Sequence, residues 1–201
     1  MDIRAFALHS LMYFVVPLWI TMGLIDWFCH RRSHIAQTAG TRESMIHLLM
    51  FCELALPMIA ALLLEINALI IGLMIVCYFI HEATALWDVS YAVSKREVSP
   101  IEQHVHSHLE LVPMLALLSV VTLHHEQFLA LFHAGDIPPD YRIMLKAQPL
   151  PATYLSCVFG GAFVFNVLPY LQELWAGIRA GRQSGPTPLA HGGPGSSRQG
   201  L

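Results

Sequence analysis

The sequence predicts an all-α integral membrane helical bundle of about five transmembrane helices, four of them enclosing a metal site at one membrane face. Three observations lead there. Apolar residues make up 55% of the 201-residue chain and charged residues only 12%, against roughly 25% charged residues in soluble domains. The apolar residues gather into five runs close to the ~20 residues that span a bilayer. Seven of the twelve histidines lie near ends of those runs that up-and-down threading brings to a single face.

The first run covers residues 6–29. It follows a single Arg4, exceeds the length of a signal-peptide core and lacks a small-residue cleavage site, so a retained helix is expected. The second covers residues 45–64, with Thr41 placed to cap its start. A short Glu65-Ile66-Asn67 turn leads into the third, residues 68–89. The fourth covers residues 109–132, and its helix is expected to begin earlier, at Ser99-Pro100-Ile101-Glu102. That segment offers a Ser cap, a Pro in the first turn and a Glu three residues on. The connection 134–151, rich in Pro and Asp, falls on the side opposite the histidines. The fifth run covers residues 154–178. Pro17, Pro57, Pro113 and Pro169 lie inside these runs, where neighbouring helices re-satisfy the carbonyls that proline frees. Residues 1–182 thus form one transmembrane domain. Residues 183–201, rich in Gly, Pro and Ser, are expected to be a disordered tail.

Charge and cysteine usage narrow the function classes. A formal net charge of −3 offers no basis for a nucleic-acid partner. Cys29, Cys52, Cys77 and Cys157 all sit in apolar segments without a CxxC pair, so they read as small hydrophobes rather than a disulfide framework or zinc knuckle. Arg31, Arg32, Arg42, Lys95, Arg96, Arg179 and Arg182 share one side of a five-span chain, and Arg4, Arg142 and Lys146 the other. The positive-inside rule then puts the N-terminus outside. The histidine cluster and C-terminus face the cytoplasm, in a bacterial-type inner or cell membrane.

The chemistry lies in the spacing. Residues four apart stack on one helix face, so Asp26/His30/His34, Glu43/His47 and Glu102/His106/Glu110 each form a stripe, and His81 and Asp88, two turns apart, form a fourth. Inward stripes of imidazole and carboxylate are how helix bundles hold two metal ions. These donors suit iron first, with zinc or manganese as alternatives, and the lack of clustered thiolates argues against copper(I) or an iron–sulfur centre. On the fourth helix His104 and His108 point away from the His106 face; the His106 phase is preferred because it repeats the carboxylate-to-histidine spacing of the first two helices. Each residue alone also has a plainer reading. Glu102 can be a capping-box acid and Glu43 a first-turn acid favoured by the helix dipole. Glu53, deeper in the second helix, can be a proton relay, a further ligand or a protonated acid bonded to a neighbouring helix. His124, His125 and Glu126 fall near the far interface. Trp19, Trp27, Trp87 and Trp175 are placed as interfacial anchors.

His30-Arg31-Arg32-Ser33-His34 at the end of a span resembles the first histidine box of the membrane fatty acid hydroxylase and desaturase families, and His104-Val105-His106-Ser107-His108 is loosely similar to their later boxes. The HxxHH boxes of those families are missing. The resemblance implies a non-haem di-iron centre on the cytoplasmic face that oxidises lipid chains with O2. The expected function is therefore a dimetal oxidoreductase acting on membrane lipid or another apolar substrate, with O2 and a soluble electron donor as partners. The alternatives are a zinc-dependent membrane hydrolase, in which metal-bound water supplies the nucleophile, and a metal-binding or transport protein. A bis-histidine haem protein ranks last, because two axial ligands leave the carboxylates unexplained.

Overall fold

A computed structural model describes residues 2–183, so the expected tail beyond Gln183 lies outside the described residues. It contains seven helices: α1 (Ile3–Arg32), α2 (Ile35–Thr38), α3 (Thr41–Leu63), α4 (Ala68–Val93), α5 (Pro100–Leu123), α6 (His125–Leu131) and α7 (Ala152–Gln183). Among the described residues there is no β-strand. Helices α1, α3, α4, α5 and α7 are long and apolar enough to cross a membrane. Their polarity is inside out. Only 11–33% of each apolar stretch is buried, while Phe14, Phe79, Leu86 and Ile101 are each at least 66% exposed. Asp26, His30, Glu43, His47, Asp88, Glu102 and Glu173 are buried instead. A surface of that kind matches lipid as the surrounding medium.

Local chemistry sets the helix ends. Ser99 Oγ accepts from the Glu102 N–H at 3.2 Å and starts α5 as expected. Asn67 caps α4 by accepting from Ile70 N–H at 3.2 Å. The second long helix is capped differently from expectation. Gly40, not Thr41, is the capping residue, at φ +73°, ψ −160°, a conformation open to glycine and almost no other residue. The fourth run is also divided: α5 ends at Leu123, and α6 begins at His125 after a break at His124.

Helix α3 packs on α4 and α7, while α1 packs on α5 and α7. Both α1 and α7 contain one wider π turn, Leu11–Val15 and Phe163–Val167. The α7 turn places Asn166 against α1, where its amide donates to Ile20 O at 3.1 Å. At the end away from the histidines, residues 140–146 lie across the α3–α4 turn. Glu65 N donates to Met144 O at 2.8 Å and Lys146 N to Leu63 O at 3.0 Å. The Asn67 amide adds a 2.7 Å bond to Arg142 O. The connection therefore lies opposite the cluster, as expected from threading.

Trp27, Trp87 and Trp175 ring the cluster end of the bundle, and Arg31, Arg42 and Arg179 lie over their rings at 5.0, 5.8 and 3.7 Å. Aromatic rings under cations form an interfacial belt. Trp19 does not belong to it; it is half-buried between helices and lines internal cavities.

Candidate metal centre

The site begins at Glu173 on α7, an acid 5% exposed. Its two carboxylate oxygens take one imidazole each: Oε2 lies 2.9 Å from His30 Nδ1, and Oε1 lies 3.0 Å from His47 Nδ1. A carboxylate only accepts, so both Nδ1 atoms donate. The two rings stack nearly parallel, 4.2 Å apart with a 10° tilt. Held this way, both Nε2 atoms point away from Glu173 toward a second pair of acids. His30 Nε2 is 3.3 Å from Asp26 Oδ1, and His47 Nε2 is 3.2 Å from Asp88 Oδ1. His106 on α5 brings its Nε2 to 3.0 Å from the same Asp26 oxygen, with its ring perpendicular to that of His30.

None of these facing atoms has a well-formed hydrogen bond. Asp26 Oδ1, His30 Nε2, His47 Nε2 and both Asp88 oxygens are buried without a partner. Buried polar atoms are nearly always satisfied, and a neutral imidazole that donates through Nδ1 offers only a lone pair at Nε2. Lone pairs facing carboxylate oxygens are satisfied by a metal ion or a proton between them. The charge balance says the same. Asp26, Glu43, Asp88, Glu102 and Glu173 are all buried, the Arg96 guanidinium pairs with Glu43 and Glu102, and buried charge must be compensated. Two sets of donor atoms are close enough to hold a metal ion: Asp26/His30/His106 and His30/Glu43/His47. The residues present fit such an ion.

Arg96, in the α4–α5 connection, is a member the sequence did not single out. Its guanidinium donates to Glu43 at 2.6 Å and to Glu102 at 2.5 Å, and these carboxylates hold its pKa above the ordinary arginine value despite burial. Asp88 faces His47, and Arg96 reaches α3 and α5. Glu43 and Glu102 thus hold Arg96 at the edge of the cluster, Glu102 also lying 3.6 Å from His30 Nε2.

The remaining candidates separate by position. His81 lines the same cavity of about 50 Å³ as Asp26, His47, Asp88 and His106. Its Nδ1 lies 3.7 Å from Glu53 Oε2, and neither ring nitrogen has a hydrogen-bond partner. Glu53 is bonded to the neighbouring helix, accepting from Thr84 Oγ1 at 2.8 Å. Glu110 is half-buried at the cavity margin. His34 lies outside the cluster: α1 stops at Arg32, and His34 turns left-handed at φ 53° with its side chain exposed, so the third member of that stripe is lost. Of the two α5 phases, His106 faces inward. His104 and His108 pair with each other on the outside, His108 Nδ1 lying 2.9 Å from His104 O.

Sequence reasoning also missed Glu173, because only four helices were assigned to the site. A signal was present, since Glu173 is the only acidic residue within α7 and acids inside spans mark function by default.

No relative places the chain. No family model matches it, and neither a curated protein nor a solved structure does.

Proposed function

We propose that this chain is a membrane metalloenzyme whose cluster holds two ions, iron foremost, and supports oxidation of an apolar substrate by O2. The observation that carries the reading is the Glu173 clamp. One carboxylate fixes two parallel imidazoles through Nδ1 and aims both Nε2 atoms at Asp26 and Asp88, an arrangement that orients and strengthens metal-binding histidines. Mixed imidazole and carboxylate donors suit iron, and manganese or zinc in the same role. Iron, when bound, supplies the redox chemistry. The chain's own residues hold the ions through Asp26, His30, His47, Asp88 and His106, and Arg96 neutralises the outer acids Glu43 and Glu102. The apolar walls of the cavity, Leu54 and Ala85 among them, favour an apolar chain over water. The excess of basic residues at that face supports a cytoplasmic cluster, within reach of a soluble electron donor, with lipid as the substrate source.

The test is anaerobic purification with iron, followed by reduction and exposure to O2 with membrane lipid extract. The reading predicts O2 uptake coupled to a modified lipid; reduced iron that never reacts would overturn it. The Asp26/His30/His106 set favours one second reading. Three protein ligands with an open position are what a hydrolytic zinc ion uses, so a protein that takes up only zinc under these conditions would be read as a membrane hydrolase.

A further inference from the structure

A second cavity, of about 180 Å³, lies beside the cluster cavity and shares Trp19 and Leu54 with it. Its walls are almost wholly apolar, running from Leu54 and Val112 to Leu8 and Leu123. Along α5, the step from Val112 to Leu123 is about 16 Å of helix. The far end is different, because Lys146 and His124 line it. Arg4 stands beside them, donating to Leu123 O at 3.0 Å. Burial and the neighbouring Arg4 and Lys146 charges lower the His124 pKa. Burial also lowers the Lys146 pKa. Glu65 accepts from the Ala147 N–H at 2.7 Å and its charge acts on Lys146 and His124, but among the described residues no carboxylate lies within ion-pair distance of Lys146.

We propose that this cavity binds a single-chain anionic amphiphile, its head at Lys146, Arg4 and His124 and its hydrocarbon chain running toward the metal cluster. An apolar cavity lined at its end by Lys146, with Arg4 bonded to Leu123 O beside it, is complementary to a carboxylate or phosphate on one alkyl chain. The head is then held at the membrane face opposite the ions, and the part of the chain far from the head approaches His81 and His106. This names a substrate class for the oxidation proposed above, yet binding itself needs no metal.

Trp19 reports on the cavity directly. It lies about 22 Å of helix beyond Arg4 and about 10 Å short of Asp26. A protein retaining only Trp19 (Trp27→Phe, Trp87→Phe, Trp175→Phe) is titrated in neutral detergent with stearic acid brominated either near the carboxylate or near the methyl end. The expected result is saturable quenching that is stronger with bromine near the methyl end and is absent in Trp19→Phe. Arg4→Ala with Lys146→Ala weakens binding about tenfold or more, the scale of a hydrogen bond to a charged group, and Lys146→Arg preserves it. Displacement by lysophosphatidylglycerol marks a phosphate head, and failure to displace marks a carboxylate. Metal-stripped protein should quench equally, so loss of the oxidase reading leaves this result standing. Equal affinity for the uncharged brominated alcohol, no saturation, or stronger quenching by bromine near the carboxylate would each overturn the proposal.

Discussion

Glu173 turns two histidines into a site at the scale of one residue. Its carboxylate fixes the tautomer and direction of both His30 and His47, and removal of such an orienting group typically costs 10–100-fold in metal affinity. Glu173→Ala is therefore predicted to weaken metal binding by about that factor, and Glu173→Gln by less, since the amide oxygen can still accept from one ring. Titration of stripped protein with metal measures both. His106→Ala should lower bound metal, while His34→Ala, His104→Ala and His124→Ala should leave it unchanged. If His104→Ala abolishes binding and His106→Ala does not, the inward phase of α5 has been assigned to the wrong face. At Arg96 the effect is on stability: Arg96→Ala leaves Glu43 and Glu102 buried side by side without a counter-charge. Breaking such a buried pair costs about 3–5 kcal/mol, measurable as a fall in melting temperature.

The element scale decides which of these residues meet. Helix α1 must approach α7 closely for His30 to reach Glu173, and Gly23 permits it, since a Cβ there would collide with the Asn166 side chain. Gly23→Ala is predicted to spread the two helices and lower both stability and metal affinity; unchanged affinity would show that the approach is not limiting. Gly40 adopts a backbone closed to other residues, so Gly40→Ala should destabilise α3 by about 1 kcal/mol or more. The elements themselves were legible in the sequence because lipid as solvent writes long apolar runs, and the Ser99 cap marked the start of α5 before its apolar part. Three particulars were not legible. The α1 stripe was extended one residue too far because nothing in His30-Arg31-Arg32-Ser33-His34 announces a left-handed turn. Gly40 was overlooked in favour of Thr41, whose side chain is the usual capping type but whose backbone is already helical. Arg96 was read only as one of the basic residues that set orientation, whereas its partners lie on α3 and across the turn on α5, contacts that spacing along one helix cannot reveal.

Over the whole molecule, polarity runs from the outside inward: lipid-compatible side chains at the surface, and five acids with His30, His47 and His81 in a buried layer near the Trp–Arg belt. Stripes on four helices pointed to that layer from sequence alone, and the fifth helix joins it through Glu173. Such a layer is self-repelling without a cation, so its stability is expected to depend on metal. Orientation is a separate prediction at this scale. A C-terminal reporter should be active in the cytoplasm and a reporter at Asp2 outside; the reverse result would move the cluster to the exterior face. The central claim, that the buried layer is a metal centre, is tested most directly by melting the purified protein before and after verified removal of bound metal, then after adding it back. The account predicts stoichiometric metal in the native protein, a lower melting temperature once it is stripped, and recovery on re-addition that His30→Ala and His47→Ala abolish. A melting curve that does not change when the metal is gone would show that the layer is compensated by protons alone and contradict the assignment.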